Sequence, residues 1–329
     1  MTIQELLNSF QKKKILVIGD VMIDAYMLGK VHRLSPEAPV PIVSLSAKEE
    51  RLGGAANVAL NLGALGAEPV LCSVVGSDGD GKRLKALLSE QGMSVEGIVN
   101  SEERVTTVKT RVIGNNQQLL RIDAEDIHPL TRGEALSLIT TVKSLIEKGG
   151  IDAVIFEDYN KGVLTLEVIG AIIAAAQQHG IPTAVDPKKD NFLAYKGVTL
   201  FKPNMKELKE GVGINTSFEQ RESFEKAIEV LEEELGNEIT FVTLSEHGVY
   251  IKRSEEAIHV PAHIRTIADV SGAGDTVISV ATLCLAAGMS VRTIAELSNL
   301  AGGLVCEKSG VVTIDPSQLI EECAGKDLV

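Results

Sequence analysis

The residues best suited to chemistry lie in Asp269-Val270-Ser271-Gly272-Ala273-Gly274-Asp275-Thr276, directly before the apolar run 277–287. Two glycines let a backbone pass close to a ligand, and a helix starting there points its first unpaired N–H groups at it. Such a helix start carries roughly half a positive charge and seats an anion. A carboxylate in that seat repels a phosphate. Asp275 is therefore useful there as a proton acceptor, for a hydroxyl attacking a phosphoryl group held by the loop. The competing reading is a tight turn with Asp275 in an ordinary first helical turn.

Other polar groups sit at the ends of strand-like runs and carry similar double readings. Asn204 and Glu207 follow the run ending at Phe201 and match a capping box; at the carboxyl end of a central strand they would also face a ligand crevice. There Asn204 would contact phosphate and Glu207 would order the water shell of Mg²⁺. Asp20 and Asp24, just past the first strand, and Asn57, after Gly53-Gly54, suit sugar hydroxyls, or else form turns and close packing. Thr243-Leu-Ser245-Glu246-His-Gly248 ends another strand and also reads as a turn. Gly76 to Arg83 has P-loop spacing, but Arg83 stands where the magnesium-binding Ser or Thr belongs, so it is a strand-to-helix turn.

The elements that must position these groups alternate from end to end. Apolar strand-like runs at 14–19, 70–75, 153–156, 183–185, 198–201 and 239–244 are separated by helical patterns at 54–65, 81–91, 130–148, 164–179 and 217–235. Such alternation predicts a doubly wound α/β fold with a mostly parallel sheet. Two regions break the rhythm. Residues 31–46 contain Pro36, Pro39 and Pro41, which exclude a helix, and 105–123 reads as two strands joined at Gly114-Asn115-Asn116. Together they predict a small β-sheet lid on a single domain spanning 1–329.

The bulk properties narrow the partners. A net charge of −13 argues against nucleic acid and anionic membranes. The four cysteines form no C-x-x-C pair and read as free thiols of a cytoplasmic protein, and Pro261 between His259 and His263 disfavours a metal pair. The 277–287 run is too short to span a bilayer, and the polar first 14 residues are no signal peptide.

Taken in order, Gly-Asp…Asp24, Gly53-Gly54…Asn57, Asn204-x-x-Glu207, Thr243-x-Ser245-x-x-Gly248 and Gly-Ala-Gly-Asp275 resemble the ribokinase-like (PfkB) carbohydrate kinases over nearly the whole chain. The resemblance implies a ribokinase-like fold, ATP and Mg²⁺ as cofactors, Asp275 as base and the 272–274 amides as anion hole. It also implies a nucleotide site of Asn204, Thr243, Ser245, Glu246, Gly248 and Asn299, with Glu207 reaching the metal through water. Within that family, Gly19 to Pro41, Glu157-Asp158-Tyr159-Asn160-Lys161-Gly162 and Asp186-Pro187-Lys188 look like the D-glycero-β-D-manno-heptose 7-phosphate kinases. Val270, where the wider family commonly has Thr, fits that subgroup. Asp20, Asp24, Gly53, Gly54, Asn57, Asp158 and Asp186 are then expected at the sugar, and Arg33, Lys109, Arg111, Arg121, Lys161 and Lys188 are the candidate cations for its phosphate. The fused adenylyltransferase of many such kinases is expected to be absent, and a homodimer through the lid is expected.

Overall fold

A computed structural model describes residues 2–324. In chain order the strands are β1 (Lys14–Gly19), β2 (Val21–Leu34), β3 (Pro41–Gly54), β4 (Glu68–Gly76), β5 (Ile98–Ser101), β6 (Val108–Gly114), β7 (Gln117–Ala124), β8 (Ala153–Glu157), β9 (Thr183–Asp186), β10 (Leu200–Phe201), β11 (Ile239–Thr243), β12 (Val249–Arg253) and β13 (Glu256–Val260). The helices are α1 (Ile3–Phe10), α2 (Ala55–Ala64), α3 (Gly79–Glu90), α4 (Arg132–Glu147), α5 (Leu166–Gln178), α6 (Met205–Val212), α7 (Arg221–Leu235), α8 (Ala273–Ala286), α9 (Val291–Val305) and α10 (Pro316–Cys323).

The large sheet runs β13-β12-β11-β10-β9-β8-β1-β4-β5, parallel except for β12 and β13. Its strands are apolar on both sides because both faces are covered. In β1, Ile15 and Val17 join the core packed by α2, α8 and α9, whereas Leu16 and Ile18 join the one packed by α4, α5 and α7. This is the doubly wound α/β arrangement that the alternation predicts. The chain leaves β1 toward β4 on one side and returns to β8 on the other. The crevice between the carboxyl ends of β1 and β8 is thus a topological switch point, where ligands of such sheets bind.

The second sheet, β3-β2-β6-β7, is larger than the sequence suggests. β2 begins one residue beyond Asp20, so Asp24 lies inside a strand, paired with Arg51 and Lys109, and not in a turn past β1. Val21, Met22 and Ile23 are buried where the strand leaves the main sheet, so an apolar pattern alone did not mark the change of sheet. Pro36 and Pro39 stand between β2 and β3 and Pro41 opens β3; Ser35 N–H closes the turn on Val40 O. Asn115 and Asn116 adopt φ of 52° and 64°, as a tight hairpin turn between β6 and β7 requires. Asp78 caps α3 through Gly81 N–H, so the P-loop-like stretch is a strand-to-helix turn. All four cysteines are buried thiols outside any disulfide. Among the described residues, no helix is long and apolar enough to cross a membrane.

Candidate active site

Parallel register does much of the assembly. Gly19 pairs with Glu157 and Glu157 with Asp186, so the ends of β1, β8 and β9 line up. Lys202, one residue past β10, donates its backbone N–H to Val185 O and falls beside Asp186. Asn204 forms an isolated bridge with Thr243 at the end of β11. Five neighbouring strands thus deliver their polar termini to one edge.

Asp275 lies above that edge in the first turn of α8, behind Gly272, whose φ of 81° only glycine adopts freely. One carboxylate oxygen accepts a hydrogen bond from Asn57 Nδ2 on α2 at 2.6 Å, and the other accepts one from the Tyr159 hydroxyl at 2.9 Å. Behind them Asn61 links Asn57 O, the Thr276 hydroxyl and Ile314 N–H, which fixes α2 against α8. The Ala273 N–H is taken by Val270 O; those of Gly274 and Asp275 have no acceptor four residues back and form the open helix start. A side chain at Gly274 would point toward Asp186 and Lys202, so the glycine leaves the space between them clear.

The electrostatics are dominated by three buried carboxylates. Glu157, Asp186 and Asp275 each place an oxygen within 4.8 Å of the others. Lys202 Nζ meets Asp186 at 2.8 Å, and Lys188 Nζ reaches Glu207 at 2.8 Å and Asp186 at 3.4 Å. Burial pushes Asp186 up, but the two lysines outweigh it and hold its carboxyl below the usual range. Burial raises Glu157 well above its ordinary value, and Asp186 and Asp275 raise it further. Both Glu157 oxygens lack a hydrogen-bond partner. A fully buried carboxyl with no partner marks a place where a ligand group or its water is due. Burial also raises Asp275, opposed by its bonds from Asn57 and Tyr159.

The remaining sequence-predicted residues fall into four groups. Glu207 completes a capping box with Asn204 at the start of α6, and its other oxygen accepts from Lys188, so the cap and a position beside the carboxylates coexist. Some candidates for the sugar have protein partners. Asp20 accepts three backbone N–H groups, from Tyr159, Lys161 and Val163, and holds the loop after β8; burial, with Asp158 nearby, lifts it to about 6. Asp158 is buried against Tyr195 and Asn191. Asp24 is bonded by Arg111 at 2.5 Å. Gly53 and Gly54 lie against the Asp24 carboxylate and the Asp20 carbonyl, with no room for a side chain.

The candidate cations spread widely. Arg33 is exposed near the far end of β2, and Arg121 is half exposed and paired with Asp123. Lys109 and Lys161 meet on Glu125. Of the candidates for the nucleotide, Ser245 and Glu246 form an exposed 3-10 turn, and Gly248 has φ of 87° against Val260 O. Asn299, on α9, donates to Pro261 O. Sequence reasoning passed over Glu157, Tyr159, Lys202 and Arg51 as site residues. The first three stand beside residues it selected, and a strand-end position was the available signal. Arg51 had none: it stacks on Tyr26 at 5.0 Å, with Arg111 on the same ring at 5.3 Å, and donates to Val311 O, tying the small sheet to the segment between α9 and α10.

The profile of the pfkB family carbohydrate kinases matches residues 12–318. The chain is 40% identical to the bifunctional protein HldE of Pelobacter propionicus over 98% of its own length and 66% of that protein's. It is also 40% identical to the HldE protein of Helicobacter pylori over 91% and 64%. The chain thus spans a little under two thirds of these relatives. Phosphofructokinase-2 from Escherichia coli, solved with fructose-6-phosphate, superposes with a TM-score of 0.75 at 21% identity, over 95% of this chain and 99% of that one. Arabidopsis thaliana ribokinase, solved with ribose and ATP, superposes at 0.71 and 16% identity over 94% and 99%. The fold is ribokinase-like, and the chain belongs to the pfkB family of carbohydrate kinases.

Proposed function

We propose that the chain transfers the γ-phosphoryl group of ATP to the anomeric hydroxyl of D-glycero-D-manno-heptose 7-phosphate, giving the 1,7-bisphosphate on the route to ADP-heptose and the lipopolysaccharide core. The observation that carries the reaction type is Asp275, held by Asn57 and Tyr159 at the open start of α8 beside Lys202. The sugar phosphate rests on the heptose-kinase-like segments at 19–41, 157–162 and 186–188, and on the similarity to HldE proteins.

In this reading the acceptor hydroxyl gives its proton to Asp275 as its oxygen attacks the γ-phosphorus, and the bond to the ADP oxygen breaks. The N–H groups at the start of α8, with Lys202, offset charge on the transferred group. Asn204, Thr243, Ser245, Glu246, Gly248 and Asn299 line the nucleotide side. Asp186 and Glu207 are hard oxygen donors on either side of Lys188, a set that suits Mg²⁺ held partly through water. When bound, the ion neutralises charge on the phosphates. Arg111 and Arg51 are the cations best placed for an acceptor carried by the small sheet, which acts as a lid. Exposed Leu34, Leu45, Leu120 and Ile122 on that sheet support a homodimer formed through it.

The test is ATP consumption by the purified chain across heptose 7-phosphate, fructose phosphates, ribose and nucleosides. The reading requires heptose 7-phosphate to have the highest kcat/KM. Preference for an unphosphorylated sugar overturns the acceptor, leaving a general sugar kinase. Asp275→Asn keeps size but cannot take the proton, so turnover should drop by about 10²–10⁴-fold with folding intact. Turnover within about threefold of wild type removes Asp275 from the role of base.

A further inference from the structure

Asp275 is held from two sides by groups that reach it from separate parts of the fold. Asn57 comes from the first turn of α2, and Tyr159 from the loop after β8, 116 residues away in sequence. An aspartate carboxylate rotates broadly about its last torsion unless neighbours stop it. One donor leaves the group free to pivot about that bond. Two donors, one on each oxygen, set the plane of the carboxylate and the direction of its remaining lone pairs. A carboxylate offers about four acceptor positions, so two stay open for an incoming hydroxyl.

Tyr159 is itself immobilised. Its backbone N–H is held at 2.8 Å by Asp20, which also takes the N–H groups of Lys161 and Val163. Its ring lies under Lys188 Nζ at 5.6 Å, a cation–aromatic contact with a lysine already bound to Glu207 and Asp186. The phenol is therefore anchored at its backbone, along its ring and at its hydroxyl. Hydrogen-bonded to an ionised Asp275, it acts as the donor, and burial, with Asp275 and Glu157 beside it, keeps the phenol protonated. This arrangement also gives the buried Asp20 carboxylate a purpose: it fixes the loop that presents Tyr159.

We propose that Tyr159 is a positioning residue for phosphoryl transfer, orienting the Asp275 carboxylate toward the acceptor hydroxyl through its 2.9 Å hydrogen bond. The inference rests on Asp275 being the base. Tyr159 acts through Asp275; its contribution is geometric, and small misplacements of a reacting group cost up to about 100-fold in rate.

The experiment is a double-mutant cycle of Tyr159→Phe and Asp275→Asn, measured with ATP and heptose 7-phosphate. All four proteins are assayed well below the lowest of their melting temperatures, so that each is folded. Phe keeps the ring beneath Lys188 and removes only the hydroxyl. Tyr159→Phe should lower kcat by about 10–100-fold, with KM for ATP and for the sugar phosphate within about twofold of wild type. In the Asp275→Asn background the same change should cost less than about twofold, because there is no base left to orient. Three results overturn the inference: kcat within twofold of wild type in Tyr159→Phe, an equal loss in both backgrounds, or a raised sugar KM with kcat kept. The last would make Tyr159 a sugar contact. Near-wild-type activity in Asp275→Asn alone instead overturns the assignment of the base, a separate failure.

Discussion

Glu157→Gln should make the protein more stable at alkaline pH. Glu157 is fully buried at the end of β8, with neither oxygen hydrogen-bonded, and its neighbours Asp186 and Asp275 lie within 4.8 Å. At an effective dielectric of 20, each ionised pair at that separation costs about 3.5 kcal/mol. Lys188 and Lys202 offset part of this. Replacing the carboxyl by an amide should therefore recover about 1–3 kcal/mol once Glu157 is forced to ionise. For 329 residues the melting entropy is about 0.7 kcal/mol per kelvin, so the melting temperature should rise by about 1.5–4.5 °C.

The sign follows from the direction of the shift. Burial, then Asp186 and Asp275, raise the folded value above the ordinary 4.5, so the folded state binds this proton more tightly than the unfolded chain. Stability is thus lost as pH rises from about 4.5 through the folded value. The amide has no such loss, and the gap between variant and wild type should widen upward from pH 4.5. Thermal melts from pH 4.5 to 9, with EDTA and without nucleotide, measure it. A pH-independent difference, or a variant less stable than wild type at pH 8.5, would refute the reasoning.

Two further outcomes test the two sides of the site. Glu207→Gln removes an oxygen that meets Lys188 but can still cap α6 through its amide; the Mg²⁺ concentration for half-maximal rate should rise with the melting temperature nearly unchanged, and a normal Mg²⁺ titration ends the metal role. Arg111→Ala should raise KM for a phosphorylated acceptor by about 10–100-fold and leave KM for ATP alone, as expected for loss of one charge-assisted contact. Equal effects on phosphorylated and unphosphorylated sugars would assign Arg111 to holding Asp24 instead.

The sequence by itself determined the layered α/β fold and the order of its polar strand ends, because buried parallel strands, helix starts and hairpin turns are local patterns. Gly114-Asn115-Asn116 and the Gly272–Asp275 helix start needed nothing from elsewhere in the chain. What each polar side chain faces was decided only by tertiary structure. Asp20 looks like Asp275 in sequence, an acid at the edge of an apolar run, yet the returning loop gives it three N–H groups and turns it inward. Arg33, Lys109, Arg111 and Arg121 are equal as cations on a predicted sheet, but pairing sets Arg111 opposite Tyr26, from where its side chain reaches Asp24, and leaves Arg121 half exposed with Asp123. Tyr159 and Asn57 meet on Asp275 from 116 and 218 residues away. Contacts of that range depend on how strands cross over and pair, and no periodicity within a segment encodes them.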